Sequence, residues 1–339
     1  MSYVNLDPTD FVVSADSVTA PAWSTGLPVL TSFVTASSTA PTFYVDVYVS
    51  GSSVTDTTAQ FSIAYGNLNG SGSAYYNQLV PYVSPTRTIY GQYRTLVYGD
   101  ENTNFNFGTG NTVARDILVL NINRNRYKQQ FYSPTFNLTL TSGSSTINLT
   151  NNSKDVTTVT YLDCGRVFDI VSGSNGSAVT TTVASGVTAG YTPSGSYGLF
   201  LPDIGTIILN PRALALPPAS GGINLLVSES VNTNARNYGP LFNAISGGAN
   251  FQLNSEETIS SNYVFVRVKS QDFNYTTNPS IISGSGNLNF PSLINDPQTY
   301  ITTVGMYNTN NELLAVAKLS KPLVKDFTKE ALVRVKLNW

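Results

Sequence analysis

Short runs of alternating apolar and polar residues recur along most of this chain, each closed by Gly, Asn, Ser or Pro. In FYVDVYVS (43–50), Phe43, Val45, Val47 and Val49 alternate with Tyr44, Asp46, Tyr48 and Ser50. Successive strand side chains point to opposite faces, so this period of two marks a half-buried antiparallel strand. AQFSIAYG (59–66), DILVLNIN (116–123), GRVFDIVSG (165–173), SYGLFLPDIGTIILNP (196–211) and YVFVRVKS (263–270) also read as strands. FNLTLTS (136–142) and STINLTN (145–151) form one hairpin that turns at Gly143. Many short strands with turn signals between them predict an all-β fold. The expected form is an antiparallel β-sandwich-like core with one or two short helices and extended terminal segments. A short helix is expected over 240–246, opened by Pro240 and closed by Gly247 and Gly248. No internal repeat is visible, which disfavours a solenoid or propeller.

The C-terminal stretch 299–339 is the most ordered in pattern. Residues 300–307 alternate, NTNN (308–311) is a run of turn formers, LLAVAKL (313–319) is apolar, a basic linker follows, and 331–337 alternates again. Residues 1–42 are rich in Thr, Ser, Ala and Pro with two apolar islands, which fits either an extended arm or edge strands. The expected division is therefore 1–42 as N-terminal arm or edge strands, 43–298 as a β-rich body with a sub-domain break near 212–235, and 299–339 as a C-terminal docking segment.

Composition narrows the chemistry. Of 339 residues only 11% are charged, the net charge is -2, and 41% are hydrophobic. That is too apolar and too weakly charged for a disordered chain. There is no histidine, which removes the commonest general base and transition-metal ligand. The one cysteine, Cys164, reads as a small buried apolar residue. The first residues lack a basic region followed by an apolar run, so no signal peptide is expected. No stretch approaches the roughly 20 apolar residues that span a bilayer. The Gly/Ser stretch LNGSGSAYYN (68–77) lacks the Lys-Ser/Thr pair of a phosphate cradle, and no helix is expected to open after it.

Few constellations could carry chemistry. Glu256 and Glu257 are neighbours and would face opposite ways on a strand, so they cannot act as a carboxylate pair. The expectation is a polar turn before the strand that follows. Asp100 and Glu101 in YGDENTNFNFG (98–108) lack the spacing of a calcium loop and fit a turn held by Asx hydrogen bonds. Arg124, Arg126 and Lys128 would form a basic stripe if the 116–123 strand continued. With an acidic net charge this favours a protein interface over nucleic acid. Lys318, Lys321, Lys325 and Lys329 read as edge protection, solvated linker or a docking surface. Trp339 is expected to be packed. No cofactor or metal is implied.

Several segments resemble virion structural proteins of T4-like contractile-tailed phages that infect marine cyanobacteria. They are AQFSIAYGNLNGSGS (59–73), IYGQYRTLVYGDENTNFNFG (89–108), ILVLNINRNRYK (117–128), GANFQLNSEETISSNYVFVRVKSQDFNYTTNPS (248–280) and the C-terminal 300–339. The last is the most specific, and shorter versions occur in phage tail-collar and fibre-attachment domains. The resemblance implies a non-enzymatic component of the tail, baseplate or neck, located in the virion and assembled in the host cytoplasm. Its implied partners are other virion proteins and copies of itself, without a membrane or nucleic acid. Alternatives are a capsid decoration protein and a host-glycan-binding adhesin. The resemblance brings no catalytic residues with it.

Overall fold

The computed structural model describes residues 3–35, 44–50, 58–72, 84–108, 113–180, 190–228, 236–275 and 278–338. These residues are mostly strand with a few short helices. In chain order they form β1 (Phe11–Pro21), β2 (Val29–Leu30), β3 (Val34–Thr35), β4 (Tyr44–Tyr48), β5 (Phe61–Asn67), α1 (Pro85–Tyr98), β6 (Asp116–Ile122), β7 (Gln130–Phe131), β8 (Asn137–Ser142) and β9 (Ser145–Asn151). Then come β10 (Thr160–Leu162), β11 (Gly165–Ser174), β12 (Ser177–Ala178), β13 (Gly198–Leu201), β14 (Thr206–Leu209), α2 (Pro211–Ala215), α3 (Tyr238–Gly248), β15 (Phe251–Gln252) and β16 (Asn254–Val268). The last elements are α4 (Ser292–Asn295), β17 (Thr299–Tyr307), β18 (Leu313–Lys325) and β19 (Ala331–Asn338).

The chain divides into two compact units, residues 18–257 and residues 1–17 together with 258–339. This differs from the three consecutive segments expected from sequence. β1 and β19 both belong to the sheet of β16, in the order β1-β16-β19, and so the two ends of the chain share one unit. The break expected near 212–235 is not a boundary. Ile223 and Leu225 both donate their N–H to the Leu214 carbonyl and are buried in the core of the larger unit. Residues 229–235 of that stretch lie outside the described residues.

The larger unit is built on one antiparallel sheet, ordered β2-β15-β8-β9-β11-β13-β14-β6-β5-β4-β3. Its sandwich-like core arises because this sheet curls until strands near its two ends face each other. Phe251 of β15 lies 5.4 Å from Phe61 of β5 between ring centroids, and Trp23 lies 4.7 Å from Phe251. β2 pairs with β15 at one end and β3 pairs with β4 at the other. The three residues between β2 and β3 therefore bridge the two ends covalently. Central strands are buried on both faces. In β6, Leu118, Leu120 and Ile122 join the main core, while Ile117 and Val119 join a second one under α1. This explains why DILVLNIN looks nearly continuous in hydrophobicity.

The Gly143 hairpin forms as read, with Leu138 opposite Leu149 and a left-handed φ of 60° at Gly143. The expected helix over 240–246 is longer, Tyr238–Gly248. Pro240 is its third residue, still within the first turn, where N–H groups have no intrahelical acceptor. The helix α1 is an addition to the expectation. It starts after Ser84 with Pro85 at its first position, buries Thr86, Tyr90 and Val97, and ends at Gly99 in the left-handed region. It lies close to β5 because Gly66 has no side chain: a Cβ there would stand 2.9 Å from the Tyr90 nitrogen.

Phe251 has ring contacts with Trp23, Phe61 and Phe136 and is wholly buried. Phe251→Ala is expected to lower the unfolding free energy by about 3–5 kcal/mol, read as a fall in urea midpoint. The same change at exposed Phe327 should shift it little.

Candidate assembly surface of the terminal unit

The unit of residues 1–17 and 258–339 has little core of its own. Among the described residues its only fully buried apolar side chains are Val264 and Val268. Tyr300, Leu313, Leu314, Val316, Phe327 and Leu332 are exposed, Leu314 at 62%. Scattered exposed apolar residues are ordinary, whereas a concentration of them marks an interaction surface.

The β17–β18 ribbon shows how the sequence produces this. Its turn is fixed by Asn308, whose Oδ1 accepts from the Asn310 and Glu312 nitrogens at 2.9 and 2.8 Å. Asn311 takes the left-handed φ of 60° that the turn needs. Across the ladder Val304 faces Ala317 and Met306 faces Ala315 on one side. On the other side Gly305 faces Val316 and Thr303 faces Lys318. The Tyr307 ring covers the bare backbone of Gly305, and Tyr3 meets Tyr307 edge-on at 5.4 Å. No residue of β17 is fully buried. A two-stranded ribbon is marginal in water, and here both of its sides carry apolar residues. Burying a Leu or Val side chain is worth about 1.5–3 kcal/mol, so Leu313, Leu314 and Val316 together could supply several kcal/mol to an association.

The β1-β16-β19 sheet has two unlike faces. Tyr263 sits opposite Lys336 and Phe265 opposite Arg334. The Arg334 guanidinium and the Lys336 ammonium lie 5.3 and 5.4 Å from the centre of the Tyr263 ring. Asp10 pairs with Arg267 at 3.2 Å and Asp16 with Lys336 at 3.1 Å. The Lys336 hydrogen bond is the main reason the Asp16 carboxyl is held below the usual carboxylate range. By strand alternation the other face carries Val264, Val266, Val268, Val333, Val335 and Leu337.

The lysines expected to act together have separate fates. Lys318 and Lys321 are exposed on β18, Lys321 in an irregular stretch of the ladder. Lys325 is wholly buried, against the expectation of a linker or docking residue. Its Nζ donates to the Ser270 carbonyl, Asn274 Oδ1 and the Asp326 carbonyl, each at 2.8 Å. β18 runs on past the expected apolar run to Lys325, so this residue ends a strand and ties it to residues 270–274. Lys329 is held in its own turn by Asp326 at 2.7 Å. Trp339 lies outside the described residues.

The basic stripe of the larger unit does not form. The strand β6 stops at Ile122, because Asn123 accepts from the Asn125 nitrogen and caps a tight helical turn, Arg124–Arg126. Arg124 stacks over Tyr127 at 4.5 Å and donates to its carbonyl at 2.6 Å. Arg126 has a buried Nε without a hydrogen-bond partner. Lys128 pairs with Glu257 at 3.2 Å, an exposed contact of the kind worth under about 1 kcal/mol. Glu256 and Glu257 sit within β16 rather than in a turn, and Glu256 accepts from Gln130 at 2.8 Å.

Asp100 forms the expected Asx turn, accepting from the Asn102 and Thr103 nitrogens at 3.0 and 2.9 Å. No group of three His, Cys, Asp or Glu side chains converges among the described residues. Burial pushes the Cys164 thiol up to about 11, so it stays protonated and unreactive at neutral pH.

Two outcomes follow for the 325–329 turn. Lys325→Met takes the ammonium donor from three oxygens, of which the Ser270 carbonyl keeps a second donor, Asn274 Nδ2. It should cost on the order of 2–4 kcal/mol, with faster hydrogen exchange at residues 270–275. The hydrogen bond from Lys329, then that from Thr328, holds the Asp326 carboxyl down at about 2, against 3.8 ordinarily. A depressed carboxyl stabilises the fold above its unfolded value and loses that effect as pH falls through its folded value. The turn should therefore be at full strength above about pH 4 and weaken toward pH 2. Lys329→Ala should raise the Asp326 midpoint in a carboxyl NMR titration.

Comparison with protein-family models, with curated proteins and with solved structures finds no match to this chain.

Proposed function

We propose that this protein is a non-enzymatic structural component of a phage virion, in the tail, baseplate or neck. In this reading the unit of residues 1–17 and 258–339 holds neighbouring virion proteins through its strands. The observation that carries it is the exposed apolar surface of that unit, on a ribbon apolar on both sides, with only Val264 and Val268 fully buried among its described apolar residues. Such a unit gains its stability by being covered. The resemblance of residues 300–339 to virion structural proteins of T4-like contractile-tailed phages falls on this same surface. Repeated contacts in a symmetric particle make modest single contacts strong.

The location is tested by quantitative mass spectrometry of purified particles separated into heads and tails. A low copy number in the tail fraction, matching a closed symmetry, is expected. Hundreds of copies in the head fraction would make it a decoration protein, and absence from particles would overturn the reading. The surface is tested by substitution, because truncation from Lys325 onward would strip β19 from β16. Leu314→Asp with Val316→Asp should leave the isolated chain folded. It should cut incorporation at least about tenfold, the equivalent of 1.4 kcal/mol. Undiminished incorporation would place the interface elsewhere.

A further inference from the structure

The two sides of the β17–β18 ribbon are not equally covered. Val304, Met306, Ala315 and Ala317 are half-buried on one, whereas Thr303, Gly305, Val316 and Lys318 on the other are all exposed. The exposed surface changes character along the ribbon. Toward the turn it is apolar, with Leu313, Leu314 and Val316. Toward the base it is cationic, with Lys318 and then Lys321. β17, TYITTVGMY, has no charged residue to answer them. The ribbon's one acid is Glu312 at the turn, which accepts from Asn308 Nδ2 at 2.6 Å. It stands six residues from Lys318, about 20 Å at roughly 3.3 Å per strand residue, beyond the screening length of about 8 Å at physiological salt. Among the described residues neither lysine has an ion pair, whereas Arg267, Lys329 and Lys336 each have one.

We propose that this face lies side-on against a different virion protein, which presents an apolar groove with Asp or Glu carboxylates on its rim. The proposal rests on the terminal unit being an assembly surface and names the chemistry of what covers it. The groove takes Leu314 and Val316. Val316 and Lys318 are two strand residues apart, about 7 Å, and a lysine stem lies along apolar surface while its ammonium reaches past the edge. The carboxylates therefore stand at the rim of the groove, on the side of the ribbon's base. There they keep much of their hydration, steer the approach and fix the direction in which the ribbon lies. Two other occupants fit this face less well. An anionic lipid surface would take in the ribbon by its tip, and the tip, NTNNE (308–312), is polar and carries the one carboxylate. A nucleic-acid backbone would answer the lysines and leave Leu314 and Val316 in water.

Carbodiimide coupling joins an amine to a carboxylate only where the two touch. Applied to purified particles and read by peptide mass spectrometry, it should link Lys318 or Lys321 to Asp or Glu of a different virion protein. Lys329 with Asp326 and Lys336 with Asp16, at 2.7 and 3.1 Å, should couple within the chain and show that the reaction has worked. Lys318→Glu with Lys321→Glu, at exposed positions, should leave circular dichroism and thermal unfolding of the isolated chain unchanged. The pair should cut incorporation by about tenfold or more, because like charges then meet, and reversing the coupled carboxylate to Lys should restore it. Neutral Lys318→Gln with Lys321→Gln should cost about two- to fivefold. Particles that contain the protein with both lysines uncoupled, or coupled only within its own sequence, would overturn the partner chemistry while the virion reading stands. So would undiminished incorporation of the charge-reversed chain. Binding of the purified chain to vesicles of phosphatidylcholine and phosphatidylserine, lost on charge reversal, would give the face to lipid instead. Absence from particles would overturn both readings.

Discussion

The strand Asn254–Val268 sets the terms for the terminal unit. Its fifteen residues carry backbone donors and acceptors that must be paired along both edges. Partners come from far along the chain: β7 for its first residues, β19 for its last eight pairs, and β1 on the remaining side. Neither end of the chain is therefore a free arm. Removing β19 would open an edge of β16 over residues 261–268. Because its partners come from opposite ends of the sequence, the sheet is non-local and its assembly carries a large loop-closure cost.

The two units solve burial in different ways. In the larger one, central strands such as β6 and β14 send side chains into cores on both faces, and Leu118, Ile208 and Phe200 are almost or wholly removed from water. In the terminal one, the same strand chemistry is left half-covered. β18 has apolar residues as regularly as β14 has, but its Leu314 and Val316 are exposed whereas Ile207 and Ile208 are not. The difference lies in what is packed on each face, since intrinsic strand preference is similar. Three ion pairs lie within the terminal unit, Arg267 with Asp10, Lys336 with Asp16 and Lys329 with Asp326. What remains for a partner is apolar area, together with the exposed Lys318 and Lys321 of β18.

Much of this architecture was legible in the sequence, and the gaps have physical causes. Strands with strict alternation or turn formers beside them, such as those around Gly143 and Asn308, were readable because their signals are local. The helix α1 was hidden by Gly91 and by Tyr and Thr residues of modest helix preference. Its spacing was nonetheless present in Thr86, Tyr90 and Val97, with Ser84-Pro85 before it and Gly99 after it. The Arg124 stripe failed because a single Asn123 side chain ended the strand, a competition that alternation cannot register. Grouping the termini in one unit was not readable, because it depends on pairing between residues hundreds of positions apart.

The lysines of β18 show where such reading ends. Lys318 and Lys325 occupy the same strand in similar local sequence, Ala317-Lys318-Leu319 and Val324-Lys325-Asp326. One is exposed on the ribbon and the other buried. A buried ammonium is tolerated only where its protons are all taken up. Lys325 meets that condition through Ser270, Asn274 and Asp326, which together offer three oxygens. Asn274 is committed on its other side too, its Nδ2 donating to the same Ser270 carbonyl. Ser270 and Asn274 are thus tied to each other as well as to the ammonium. Lys325 is the side chain long enough to reach them from the end of β18. Two of its three acceptors come from the loop at 270–274, about fifty residues away in sequence, which the residues around Lys325 do not announce.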